Sequence, residues 1–540
     1  MSETAPAAAT QAVANRGLIT VCAMIATLMQ ALDSTIANVA LPYMQGSLSA
    51  TADQITWVLT SYIVAAAIMT APVGWLAARF GRKNLFITCL VGFTVASMLC
   101  GIAQSLGEMV IFRLLQGVFG AALVPLSQAT MLDIYPPEER GSAMALWGMG
   151  VMVGPILGPT LGGYLTELYN WRWVFYVNLP FGVLATLGMI WFLPKGRTQA
   201  DLKFDWLGFG VLALGVGALQ LMLDRGETKD WFGSAEIITE TVLAGLGFYL
   251  FIVHLFTAEK PFINPVIFKD RNFAASLLVM FSVGAVLVAT SALLAPWLQN
   301  LANYPVEITG LIMAPRGIGT MGAMLIAGRL SSRVDPRALM ALGIVLLSYS
   351  LWSQTAWTPD ASAWTVIINT VVQGAGLGFI FIPLQVIAFA TLPATMRGDG
   401  TALISLFRNT GSAIGVSITF TLLARSTQAA HAHLAGFATP FNRALQAGPV
   451  IKPFLNPVNP LLNGQIVVPG GIMPMGQMLN PLSAPATFLD AIINQQAQLM
   501  AYLDVFEFMF LTTIPTILLL FLMRRPKVAA APDPAHAAMD

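Results

Sequence analysis

The sequence predicts an all-α polytopic membrane protein of fourteen transmembrane helices. Three observations carry that expectation: a shortage of charge, a long series of apolar runs, and the way basic residues are distributed between those runs. Of 540 residues, 56% are hydrophobic and 10% are charged, with a mean hydropathy of +0.73. A surface facing water needs roughly 25% charged residues to be solvated. Lipid must therefore be the main solvent.

A helix needs ~20 apolar residues to cross ~30 Å of hydrocarbon. Apolar windows run over 18–42, 55–78, 85–105, 109–132, 142–167, 173–193, 205–223, 237–257, 274–298, 308–328, 338–355, 363–391, 401–424 and 501–523. No strand-like alternation competes with them, which excludes a β-barrel. With a cytoplasmic N-terminus, the inside segments hold 18 of the 27 basic residues and the outside segments six, while Arg113, Arg316 and Arg408 fall within spans. The bias holds loop by loop, as the positive-inside rule requires, and places both termini in the cytoplasm. The first window follows Arg16 and is too long for a cleavable signal core, so it is expected to be an uncleaved signal anchor.

Composition excludes other classes. The formal net charge of +1 and the scattered basic clusters give no nucleic-acid surface. Cys22, Cys89 and Cys100 all fall in apolar runs, and an odd count within lipid argues against a disulfide framework. No phosphate-cradling Gly-x4-Gly-Lys segment is present, so no nucleotide drives the chain directly.

The expected organisation is a cytoplasmic tail (1–17), a six-helix half (18–195), a linker with two extra helices (196–260), a second six-helix half (261–523) and a cytoplasmic tail (524–540). An external stretch over 426–500 is rich in Pro, Asn, Gly, Met and Gln. A flexible solvated loop is the plain expectation for it; a docking surface is the sharper one. The halves echo each other. Gly74, Leu76, Arg79 and Lys83 recur as Gly328, Leu330, Arg333 and Arg337, while Gln116, Gly117 and Pro125 recur as Gln373, Gly374 and Pro383. Repeats of this kind describe a transporter with its site at the interface of two halves.

The ordered motifs resemble the major facilitator superfamily. Gly74, Arg79, Gly81 and Arg82 are similar to its loop 2–3 signature, and Arg113 with Gln116 and Gly117 to its fourth-span motif. Gly150, Gly154, Pro155, Gly158, Pro159, Gly162 and Gly163 resemble its fifth-span antiporter motif. Asp33, Asn38 and Pro42 fit the first-span motif of the fourteen-span drug:proton antiporters. Leu223 to Gly226, Asp230 to Phe232 and Gln495 to Ala497 resemble the multidrug efflux subunits among them. The resemblance implies two six-helix halves plus two linker helices. It implies a proton-coupled exporter of lipophilic small molecules in a bacterial inner membrane, with no cofactor beyond the proton gradient. A periplasmic adaptor and an outer-membrane channel are the implied partners. One position departs from the pattern: Ala78 stands where the loop 2–3 signature has an acid. That puts its latch in doubt, or moves it to Glu138, Glu139 and Arg140.

Charges in lipid are costly, so each that persists points to function. Asp33 lies midway through the first window, and a carboxylate facing a cavity between the halves would be biased by desolvation toward its protonated form. Arg113 cannot deprotonate. Its approach would favour proton release from Asp33, and its withdrawal uptake. A guanidinium satisfied by backbone carbonyls and Gln116 is the alternative. Asp504 is a secondary proton candidate, and Asp133, near a span end, ranks lower. The glycines at 154, 158 and 162 share one helix face and permit close packing, expected here as a deformable seam between the halves with bends at Pro155 and Pro159. Met29, Gln30, Asn38, Gln128, Trp147, Phe381, Gln385 and Arg408 are candidate lining for an adaptable apolar substrate cavity. No histidine pair within the spans suggests a metal.

Rival expectations are an exporter of one metabolite or siderophore, an importer on the same fold, and a proton-translocating subunit of a respiratory complex. The last would be expected to carry mid-membrane lysines; here every lysine lies in a loop or tail.

Overall fold

In the computed structural model the described residues are 15–437, apart from 137, 196–197, 200, 260 and 332, together with 465–468, 471–474 and 484–524. Among them the long helices fall into fourteen runs, one per apolar window. The first half contains α1 (Arg16–Ser47), α2 (Trp57–Thr70 with Val73–Phe80), α3 (Arg82–Ile102), α4 (Leu106–Gly120 with Leu123–Ile134), α5 (Arg140–Leu168) and α6 (Trp173–Tyr176 with Asn178–Phe192). Next come α7 (Trp206–Arg225) and α8 (Ala235–Thr257). The rest are α9 (Arg271–Pro296, continued by the π-turn Trp297–Leu301), α10 (Val306–Met313 with Pro315–Leu330), α11 (Pro336–Gln354), α12 (Ala363–Ala390), α13 (Arg397–Gly436) and α14 (Ala484–Thr513 with Thr516–Leu519). Eleven runs are long and apolar enough to cross a membrane, or twelve if the bent α2 is one span. The other two are α5 and α13, which carry more glycine and polar residues.

Local chemistry sets the breaks and starts. α2 bends by 59° where Pro72 opens its second segment, because proline cannot donate the next backbone bond. Pro315 divides α10 in the same way. Ser105, Asp270, Asp335 and Ser362 cap α4, α9, α11 and α12 by accepting from backbone N–H groups. The outer surface is apolar: Phe521, Phe256 and Trp206 are each at least 75% exposed, as side chains facing lipid would be. The linker helices α7 and α8 touch closely at Gly215 and Gly247, and α7 packs on α2 through Gly217 and Ile68.

Two expectations about the elements change. The stretch over 426–500 is not wholly a loop. α13 continues to Gly436 through an alanine-rich segment with strong helix propensity, and α14 begins at Ala484. The extensions meet where His431 Nε2 lies 2.9 Å from Asp490 Oδ1. A short antiparallel hairpin, β1 (Gln465–Val468) with β2 (Gly471–Pro474), lies between them. The remainder of 440–480 is outside the described residues. α5, expected to bend at Pro155 and Pro159, runs as one helix through both positions.

Candidate functional site: a buried carboxylate and a closed interface

The deepest polar cluster forms where α1, α2, α4 and α6 meet. Asp33 and Arg113 are both fully buried, and Arg113 Nη1 donates to Asp33 Oδ2 at 2.7 Å. Gln116 Nε2 donates to Asp33 Oδ1 at 2.7 Å, and Asn178 Nδ2 donates to the same oxygen at 3.2 Å. Every partner of the carboxylate is thus a donor. The guanidinium is held in turn by the Val58 carbonyl at 2.9 Å, by Gln116 Oε1 at 2.8 Å and by the Tyr62 ring 4.3 Å beneath it. Gln30 reaches the Tyr62 hydroxyl at 3.3 Å. Asn178 is fixed by Ser97 at 3.0 Å, whose own hydroxyl donates to the Phe175 carbonyl at 2.9 Å. Arg113 Nη2 has no partner among the described residues.

From the sequence, Arg113 is expected either near Asp33 or satisfied by backbone carbonyls and Gln116; the structure has both at once, but it places the acid elsewhere than expected. All partners of Asp33 belong to the first half, so the acid lies inside that half rather than in a cavity between the halves. The reason is the helix face: the side of α1 bearing Asp33 points at the α4 guanidinium. Tyr62, Ser97, Phe175 and Asn178 were missed. Asn178, an amide in the apolar run 173–193, was visible as a polar residue without an evident role.

The halves meet along a different set of residues. At one end Asp133 of α4 accepts from Arg82 of its own half and from Arg397 of α13, the latter at 3.1 Å. Gly74 sits so close to Asp399 that a side chain there would lie 2.8 Å from its α-carbon. Gly141 faces the Gly328 carbonyl, where an added Cβ would stand 2.7 Å away. Deeper in, Gln128 donates to Gln385 across the interface, and Trp147 stacks on Phe381 with centroids 6.2 Å apart. Trp147 Nε1 also donates to Thr27 at 3.1 Å. The end that carries loop 2–3 is therefore closed.

This geometry moves the latch. With Ala78 in the signature, the sequence leaves the latch either in doubt or moved to Glu138, Glu139 and Arg140; the acid that joins the halves here is Asp133. Glu139 instead lies 3.8 Å from Arg16, and Arg140 donates to the Leu132 carbonyl at 3.1 Å. Arg79 is half-buried, its Nη1 without a partner among the described residues. Gly81 adopts φ +84°, a backbone conformation that favours glycine.

The antiporter motif is also relocated. An added Cβ at Gly154 would lie 2.5 Å from the Ala31 Cβ, and one at Gly162 would lie 2.9 Å from Ile36; Gly158 abuts Thr35. These glycines seal α5 against α1 within the first half. The seam between the halves uses Gly141 and Gly148, which lie on another face of α5, against Gly328 and Met324 of α10. Gly150 faces Met24, and Gly163 has open space.

Of the remaining candidates, Met29 is buried, Gln30 is half-buried and Asn38 is exposed. Arg408 is half-buried, and its guanidinium has, among the described residues, only long contacts of 3.4 Å to Asn409. Asp504 is exposed and stands apart from the Asp33 cluster.

The profile of the Major Facilitator Superfamily matches residues 23–416. The chain belongs to this superfamily. Among its relatives, the "Multidrug export protein EmrB" of Escherichia coli (strain K12) is 37% identical over 436 residues, covering 80% of this chain and 84% of that protein. The "Fatty acid resistance protein FarB" of Neisseria gonorrhoeae is 36% identical over 429 residues, covering 79% and 84%. Solved structures agree on the fold. The proton:xylose symporter XylE aligns with TM-score 0.55 at 14% identity, over 76% of this chain and 89% of that one. The human organic anion transporter MFSD10 aligns with TM-score 0.55 at 12% identity, over 92% and 99%. This member of the Major Facilitator Superfamily is a multi-pass membrane transporter and not an enzyme. The respiratory-subunit expectation falls with that match.

Proposed function

We propose that the chain is a proton-coupled antiporter that exports small lipophilic toxic compounds across a bacterial inner membrane. The observation that carries the reading is the buried Asp33 carboxylate with Arg113, Gln116 and Asn178 all donating to it. In this conformation both oxygens of the acid accept from donors only. Proton loading from the open, external side breaks the Asp33–Arg113 pair, and release on the cytoplasmic side re-forms it, the direction that antiport requires. Alternating access then ties proton release to one facing of the transporter and uptake to the other. The two six-helix halves, 18–195 and 261–523, are the moving bodies, and 196–260 is the linker between them.

The similarity to multidrug export proteins supports a broad lipophilic cargo. It also supports assembly of the EmrAB type, with a periplasmic adaptor and an outer-membrane channel. The basic-residue bias supports cytoplasmic termini. Deleting 440–480 is expected to impair whole-cell efflux while sparing transport in vesicles; unchanged efflux in both removes the docking role.

The decisive experiment uses purified protein in proteoliposomes with an imposed pH gradient and a cationic, a neutral and an acidic lipophilic probe. Gradient-driven uptake is expected for the wild type. Asp33→Asn is expected to lose it while retaining probe-for-probe counterflow. Gradient-driven exchange that persists in Asp33→Asn overturns the role of this acid.

A further inference from the structure

The second half repeats the first, and the repeat exposes a positive charge that no acid balances. In the first half the α-carbon of Gly117 abuts the Tyr62 carbonyl; in the second, Gly374 abuts the Arg316 carbonyl. Each glycine follows a glutamine, Gln116 or Gln373. Arg316 thus stands where the first half has Tyr62, and Gln373 where it has Gln116. Thr290 lies 257 positions beyond Asp33, as Gln373 lies 257 beyond Gln116. The position equivalent to the acid is a hydroxyl.

The hydrogen bonds agree with that correspondence. Arg316 Nη2 donates to Thr290 Oγ1 at 3.0 Å and to the Leu287 carbonyl at 3.2 Å, and Nη1 donates to Ser291 Oγ at 2.5 Å. Arg316 is buried, yet no carboxylate lies within ion-pair distance among the described residues. Gln373 is fully buried, and neither atom of its amide has a partner among them. A guanidinium does not shed its proton to escape burial. Its planar fork matches a carboxylate, and an uncompensated charge at membrane depth is costly unless one arrives. Ser291 is only half-buried, which leaves an approach to the Nη1 side.

We propose that Arg316, with Thr290, Ser291 and Gln373, forms an anion site in the second half that binds the acidic head of an amphipathic cargo molecule. The cargo carboxylate takes the place that Asp33 fills in the first half. One half then holds the transported proton and the other the charged end of the cargo. This rests on the exporter reading above and assigns it a substrate class.

The test is equilibrium binding to the purified full chain in phosphatidylcholine nanodiscs, without a pH gradient. The probes are octanoate, octyltrimethylammonium and octanol. Arg316→Gln is expected to weaken octanoate about tenfold, the scale of a lost charge-assisted pair, and to leave the other two within about twofold. Arg316→Lys keeps the charge without the fork and is expected to bind octanoate with an affinity between those of the wild type and Arg316→Gln. Gln373→Glu introduces a carboxylate at the position the repeat matches to Gln116, which bonds both Arg113 and Asp33, and is expected to exclude octanoate while sparing the cation, which keeps the idea testable if Arg316→Gln does not fold. Unchanged octanoate binding in Arg316→Gln, or equal loss of all three probes, overturns the proposal. Displacement of octanoate by chloride alone also overturns it, because the site would then hold an inorganic ion. A separate outcome, in which no probe is driven by a pH gradient in wild-type liposomes, counts against the exporter reading and leaves the binding result standing.

Discussion

Asp133 accepts from Arg397 at 3.1 Å, an ion pair that ties the end of α4 to the start of α13 and so joins the two halves. Arg82 binds the same carboxylate from within the first half. The acid is 37% exposed, so solvent screens it and the link is weak by itself. Asp133→Asn is expected to shift the closed-to-open ratio by about two- to fivefold toward opening, corresponding to about 0.5–1 kcal/mol. Spin labels on Phe80→Cys and Val334→Cys, both on exposed positions at this end, read the shift as a longer distance. An unchanged distance distribution removes Asp133 from the latch.

Closure at this end should also respond to pH. Asp399 sits in the first turn of α13, ahead of the apolar window that starts at 401, and burial pushes its carboxyl up to about 6. Folded carboxyls raised in this way bind a proton that the exposed group would release. The contact with Gly74 is therefore strongest below the ordinary carboxylate range and weakens as pH rises to about 6. The same label pair is expected to report opening between roughly pH 4 and pH 6, with little further change above that. Asp399→Asn should flatten that response. A pH response that survives the substitution assigns it to another group.

The helix count and the residues Asp33, Arg113 and Gln116 were legible because lipid imposes a strong, local constraint: long apolar runs, and few charges within them. What the sequence hid depends on which face of a helix points where. Asp33 was expected at the central cleft and lies inside one half. Gly154, Gly158 and Gly162 do share a face, as their spacing requires, but spacing does not say whether that face meets α1 or the other half. Asp133 ranked low because it lies near a span end. That same position puts it within reach of Arg397, whose distance along the chain gives no local signal.

Asn178 offers a test of the buried cluster that leaves its ion pair in place. It supplies one of three donors to Asp33 and is itself held by Ser97. Asn178→Leu removes that donor in a fully buried site, where leaving a polar group unmatched costs about 1–3 kcal/mol. Lower thermal stability and slower gradient-driven transport are expected together. Arg113→Lys should be more damaging, because a point charge does not reproduce the fork that reaches both Asp33 and the Val58 carbonyl. Wild-type transport by Arg113→Lys is incompatible with Asp33 as the coupled acid, and wild-type transport and stability of Asn178→Leu remove that amide from the cluster's working.

The seal between α1 and α5 is open to a paired substitution. At Gly154 an added methyl would stand 2.5 Å from the Ala31 Cβ and 2.7 Å from the Ala31 carbonyl carbon, so the two helices must separate to admit it. At Gly163, on the same helix, nothing lies within 4 Å. Gly154→Ala is expected to destabilise by about 1–3 kcal/mol through overpacking. Gly163→Ala is expected to be neutral, or to stabilise by up to about 1 kcal/mol through helix propensity. Thermal unfolding of both variants in one detergent supplies the comparison. Because the chemical change is identical, a difference between them isolates the helix contact. If the two variants melt alike, close packing of α5 on α1 is not what the glycines at 154, 158 and 162 provide.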